Sequence, residues 1–254
     1  MFVIPGAADA PSSLILMAAA LAGGLVRGFT GFGFAMAFVP VASMAVGPAN
    51  AVALIWLLDA PFAFPLALRS FPRADWREVL PLLAGATVAL PLGVALLIWL
   101  DRDAARWIIA VAIGAALAAL ASGWRYKGAP GVRLSLAVGG LSGLFNGLAQ
   151  LGGMPLAIFW LGAQKNDQWR TRDNLLAFFA LSTIASGIAF LVAGVLRFDL
   201  VFTALPLGVA YGLGLAAGAR GFRLASEQTF RRVAYLVIGA SVLLALPALD
   251  KLLR

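Results

Sequence analysis

At 254 residues, the chain is 62% hydrophobic and only 12% charged. A soluble domain carries about a quarter charged residues, so this composition cannot cover a water-exposed surface. With no cysteine and no histidine, disulfides are excluded, and zinc and transition metals lose their usual ligands, so no cofactor is expected.

Residues 1–11 carry no basic side chain, and their small-residue run Ala7-Ala8-Asp9-Ala10 precedes the apolar stretch. A cleavable signal has the opposite order, so the first apolar segment is expected to be retained. Region 12–46 holds two shorter apolar pieces, divided at Gly23-Gly24-Leu25-Val26-Arg27-Gly28-Phe29-Thr30-Gly31-Phe32-Gly33-Phe34. A crossing helix needs about 20 residues. The piece 30–46 is therefore short, either a tilted helix or half of a re-entrant hairpin. Arg27 is expected in the turn of this hairpin. There Gly28, Thr30, Gly31, Phe32 and Gly33 would let backbone amides and a helix N-terminus face an anion. A guanidinium adds a planar fork that matches an oxyanion. The alternative is a topogenic arginine that snorkels to the cytoplasm.

Segment 49–69 is a full-length span that carries Asn50 near its start and Asp59 at its middle. A carboxylate at mid-bilayer costs roughly 2.5–3.5 kcal/mol and persists mainly in cavities or with partners. Asp59 is a candidate proton-coupling group or polar gate. It could equally be a structural acid neutralised by a neighbour such as Arg27, or simply protonated. Pro61 and Pro65 free backbone carbonyls behind it, which predicts a kink or break there. Segments 79–100 and 104–124 follow as full spans.

Region 134–163 repeats the opening pattern as Gly143-Leu144-Phe145-Asn146-Gly147-Leu148-Ala149-Gln150-Leu151-Gly152-Gly153-Met154. Asn146, Gln150, Gly152 and Gly153 are its candidate binding residues, and 151–163 is again short for a crossing. Segments 172–195, 199–220 and 230–249 complete the chain, with Asn174 near the start of the first. Asn50 and Asn174 are either binding groups or helix caps. Small residues spaced by four, such as Gly24 and Gly28 or Gly139, Gly143 and Gly147, predict close helix packing without requiring dimerisation.

A slide of 119 places lays Gly28 on Gly147 and Gly33 on Gly152. A slide of 124 lays Asn50 on Asn174 and Asp75 on Asp199. A steady offset that drifts by a few loop residues is the mark of a duplicated unit. Residues 1–128 and 129–254 are therefore expected to be two repeats of about five apolar segments each. Alternating the loops puts 14 basic residues on one side and five on the other. The positive-inside rule makes the first side cytoplasmic and both termini periplasmic. The net charge of +8 then reads as loops against anionic lipid, not as a nucleic-acid surface. An odd number of segments per half inverts the second copy. The expected fold is an all-α polytopic membrane protein of two inverted repeats with 8–10 spans, a topology that supports alternating access.

The two motifs, from Gly24 to Pro40 and from Gly139 to Pro155, resemble the repeated signature of the sulfite exporter TauE/SafE family, with the loop Arg73-Ala74-Asp75-Trp76-Arg77 and its echo Arg197-Phe198-Asp199. The likeness runs from about residue 12 to 249. This chain departs from the family's fuller glycine runs at Gly31-Phe32-Gly33-Phe34 and at Gln150-Leu151-Gly152-Gly153, which points to a different cargo. The resemblance implies a bacterial inner-membrane transporter of sulfite, sulfoacetate or another sulfonate. Its partners would be a small anion and the bilayer, with oligomeric state open and a homodimer among the options. No Gly-x-x-x-x-Gly-Lys loop is present, so ion or substrate gradients would drive transport. The rival readings are a passive anion channel, an intramembrane enzyme with few acid–base actors, and an assembly factor without cargo.

Overall fold

The computed structural model describes residues 10–30, 33–68, 70–122, 131–162, 168–224, 227–244 and 246–249. Ten α-helices run through them in the order α1 (Ala10–Thr30), α2 (Phe34–Val46), α3 (Pro48–Leu68), α4 (Trp76–Trp99), α5 (Arg102–Ala121), α6 (Val132–Ala149), α7 (Gly153–Gly162), α8 (Gln168–Val192), α9 (Asp199–Leu224) and α10 (Glu227–Leu244). Among the described residues there is no strand. The protein is all-α, and among the described residues five helices are long and apolar enough to cross a membrane: Pro48–Pro65, Trp76–Trp99, Val132–Ala149, Arg172–Val192 and Asp199–Gly221. Four of these match the full-length segments expected from hydropathy. The fifth, in α6, shows that the second glycine pair divides unequally, into a span and the ten-residue α7. At 1.5 Å per residue α7 is only about 15 Å long. Half the hydrocarbon thickness is thus all it can cover.

α3 continues as a single helix through Pro61 and Pro65, so of the kink or break expected after Asp59 the break does not occur. Each proline removes one backbone donor. In a membrane helix the freed carbonyl can be satisfied by neighbours, so the helix persists.

The chain forms two compact units that interleave the sequence halves: residues 1–58, 99–118 and 195–254 in unit 1, and 59–98 and 119–194 in unit 2. In unit 1 the opening helix α1 lies along α9, and α2 packs on both α1 and α10. A Cβ added at Gly24 would lie 2.4 Å from the Tyr211 carbonyl oxygen, and one at Gly28 would lie 2.2 Å from that of Leu215. Gly214 answers from the other helix against the Leu21 carbonyl. The Phe34 ring closes the seam on Tyr211, with ring centroids 4.4 Å apart. Arg102, at the start of α5, donates to the carbonyls of Ser43, at 3.3 Å, and Met44 in the last turn of α2. A cation at a helix C-terminus satisfies orphan carbonyls and opposes the dipole.

Unit 2 has the corresponding seam between α4 and α6. Cβ atoms at Gly139 and Gly143 would meet the Leu82 and Ala86 carbonyl oxygens at 2.0 Å, and one at Gly147 would meet that of Leu90 at 2.4 Å. Small residues every fourth place let two backbones touch where the surrounding lipid offers no hydrophobic drive. Beside the seam, Val79, Leu82, Ala86, Leu156, Phe159, Trp160 and Phe178 form a buried core shared by α4, α7 and α8. Exposed Val88, Val192, Leu205 and Leu213 present the apolar outer surface that lipid requires. Trp99 and Trp107 are also exposed, at the α4–α5 end, as aromatic residues at a membrane interface are.

Candidate functional site

The turn between α6 and α7 gathers several polar groups of unit 2. α6 ends on Gln150, which adopts the left-handed conformation with φ 57° and ψ 29°. Its backbone N–H donates to the Asn146 carbonyl, and the Leu151 N–H reaches back to Phe145. This is a helix stop that usually employs glycine. For an L side chain the conformation costs roughly 1–2 kcal/mol. Non-glycine residues held in this region cluster at functional sites. The Gln150 side-chain nitrogen Nε2 is buried and has no hydrogen-bond partner among the described residues. A buried donor left unmade costs about 1–3 kcal/mol unless a ligand or water completes it.

Other polar groups at the turn are hydrogen-bonded. Ser142 donates its hydroxyl to the Gly152 carbonyl at 2.6 Å. Asn146, 8% exposed, donates its Nδ2 to the Ser182 hydroxyl on α8 at 3.2 Å. Gly152 lets the turn close, because a Cβ there would stand 2.9 Å from the Cβ of Asn146. Gly153 begins α7, whose N-terminus contributes orphan N–H groups and positive potential. Asn146, Gln150, Gly152 and Gly153, singled out from the sequence, are thus brought together. Ser142 and Ser182 join them. Ser142 is missing from the sequence-derived set, although its place four residues before Asn146 puts both on one face of α6.

Asn174 lies elsewhere. It is 1% exposed, and its amide is used at both ends. Its Oδ1 accepts the Asp75 backbone N–H at 2.7 Å, and its Nδ2 donates to Glu78 at 3.0 Å. Eight residues, or about 12 Å of helix, separate it from Ser182. Asn174→Ala is therefore expected to lower thermal stability by about 1–3 kcal/mol, since Glu78 loses a donor. Affinity for cargo should stay within about twofold of the parent; thermal unfolding with and without cargo measures both.

In unit 1, Arg27 is half-buried in the last turn of α1, not in a turn between helices. α1 continues unbroken through Gly23, Gly24 and Gly28 because these glycines serve helix contacts, Gly23 against Phe34 of α2 and Gly24 and Gly28 against α9. The carbonyl end of α1 favours the cation; the local dipole by itself does not draw an anion there. Thr30 closes α1, and Gly31 and Phe32 lie outside the described residues. Gly33, with φ 91°, precedes α2 and sets its start. Asn50 donates to the Val46 carbonyl at 3.0 Å and bridges the α2–α3 junction. Asp59 is half-buried on α3 in unit 2.

Alternation of the loops expects Arg106 among the five basic residues of the periplasmic side, with Arg102, Arg197, Lys251 and Arg254. The structure buries Arg106 to 5% exposure on α5, with Asp103 at 3.6 Å. The Arg197–Asp199 pair stays exposed, and its hydrogen bond holds the guanidinium pKa above the ordinary value.

A family model described as Sulfite exporter TauE/SafE matches residues 16–245. Neither a curated protein nor a solved structure matches the chain.

Proposed function

Since the chain belongs to the sulfite exporter TauE/SafE family, a family of membrane transporters, we propose that it moves a small oxyanion, sulfite or a sulfonate such as sulfoacetate, across a bacterial cytoplasmic membrane by alternating access. The observation that carries this reading is the buried, unpartnered amide of Gln150, held in a strained turn at the N-terminal approach to α7. A cargo oxygen would accept from Gln150 Nε2, with Asn146 and the α7 backbone amides as further donors. Such a donor set favours an anion without fixing which one. Arg27 supplies positive charge in unit 1, and Asp59 is the carboxylate available for proton coupling. Leaving out the buried Arg106, the basic residues still divide 14 to 4, which supports cytoplasmic placement of the richer loops and periplasmic termini.

A thermal-stabilisation screen against sulfite, sulfate, thiosulfate and several sulfonates tests the assignment. At least one should raise the midpoint in a concentration-dependent way, and Gln150→Ala should weaken that response roughly tenfold or more, as expected when a hydrogen bond to a charged ligand is lost. Unaltered affinity in Gln150→Ala removes its amide from the site. Asp59→Asn should stop accumulation driven by a proton gradient while sparing exchange; unchanged accumulation removes the coupling role.

A further inference from the structure

The loop before α4 and the loop before α9 carry the same short motif, Arg73-Ala74-Asp75 and Arg197-Phe198-Asp199, at the slide of 124 that also pairs Asn174 with Asn50. The four corresponding residues are used differently in the two units. In unit 2, Asp75 is held from three directions. Its backbone N–H donates to Asn174, its Oδ1 accepts the Arg77 N–H at 3.0 Å, and its Oδ2 pairs with Arg170 on α8. Asn174 extends the link to Glu78, one turn into α4. The starts of α4 and α8 are thereby tied by one charged pair and two hydrogen bonds of the Asn174 amide.

In unit 1 the equivalents turn away from such a tie. Asp199 takes Arg197 of its own loop at 2.7 Å, and Asn50 donates to the Val46 carbonyl. The cause is legible in the sequence. At the same slide, Arg170 corresponds to Val46 and Glu78 to Phe202. Unit 1 has no charged side chain at either place with which to build the cross-helix pair. Asp75 also has an alternative partner two residues away, Arg73, in the place from which Arg197 engages Asp199.

From this asymmetry we propose that Asp75, Arg170, Asn174 and Glu78 form a one-sided latch that keeps the α4–α8 end of unit 2 closed at rest and must open for the transport cycle. The inference rests on the transporter reading above. An exposed pair is weak on its own, which suits a contact that has to be broken repeatedly. The buried Asn174 amide adds two hydrogen bonds across the same α4–α8 contact, and these part together with the ion pair when the latch opens. A ligand or mutation shifts such an equilibrium only by the difference it makes between the closed and open forms.

The absence of native cysteine makes a single introduced thiol a unique reporter. Val79 is fully buried one turn behind the latch on α4. In a Val79→Cys background, a maleimide should react slowly with detergent-purified protein when the latch is intact. Asp75→Asn and Arg170→Gln should each speed labelling by about threefold or more, the range open to an ion pair of this exposure. Arg170→Lys should leave it slow, and the exchange Asp75→Arg with Arg170→Asp should return it to within about twofold of the starting rate. Equal rates in all four variants overturn the latch. So does fast labelling that the charge exchange fails to slow while circular dichroism stays unchanged. No cargo is present in this assay, so its outcome is independent of the anion assignment.

Discussion

Gln150→Ala is expected to cut transport of the cognate anion by roughly 10- to 150-fold, the loss of one hydrogen bond to a charged ligand. Gln150→Gly should cut it equally, yet yield a more stable protein. Glycine adopts the left-handed conformation at φ 57° without the penalty that an L side chain bears. Relief of about 1 kcal/mol would raise the melting temperature by roughly 2–4 °C in a chain of this size. The combination of lower flux and higher stability is the signature of strain kept for function. If Gln150→Gly lost stability, the side chain would be contributing packing, and the binding role assigned to its amide would fail. Flux into proteoliposomes and thermal unfolding, measured on the same preparations, separate these outcomes.

Gly143→Leu is expected to abolish recovery of folded protein. A Cβ at this position falls 2.0 Å from the Ala86 carbonyl oxygen, and 2.6 Å from the Ala86 Cα. The obstructing atoms belong to a helix backbone and cannot rotate away. Overpacking a yielding core costs about 1–3 kcal/mol. Here the α4–α6 seam would also have to part along Gly139 and Gly147, which make equally close contacts. Gly140→Ala is the control. Its nearest neighbours are the Gly85 carbonyl at 3.9 Å and the Ala89 Cβ at 4.0 Å, ordinary van der Waals contact. Size-exclusion profiles should show no monodisperse peak for Gly143→Leu and a normal one for Gly140→Ala.

The sequence made the helices legible because hydropathy depends on composition, which a window of residues contains. It also made the close-packing glycines legible, since spacing by four defines a helix face. Which helices pair was less visible. α1 lies on α9 and α6 lies on α4, so each glycine pair packs on a long helix from the other part of the chain. No local pattern encodes a partner 57 residues away, as Ala86 is from Gly143, or 187 away, as Tyr211 is from Gly24.

Charged residues depart from the pattern of their neighbours for a related reason. Arg106 counted as a loop cation because it is the fifth residue of its helix, yet its side chain is buried. Arg27 was expected in a turn because glycines flank it. Those glycines serve a helix contact, so the helix runs on to Thr30. Asn174 carried the right polarity for a site but is committed to Asp75 and Glu78. The left-handed turn at Gln150 did leave a trace. At the slide of 119 it falls on Gly31, a residue for which positive φ carries no cost. A glutamine in that place is either strained or doing chemistry.

The most direct test of the account is counterflow of radiolabelled sulfite or sulfoacetate in proteoliposomes that contain the purified protein alone. The account predicts saturable entry, accelerated by the same unlabelled anion inside and abolished by Gln150→Ala. Entry that rises linearly with concentration, ignores the anion inside and survives Gln150→Ala would contradict it.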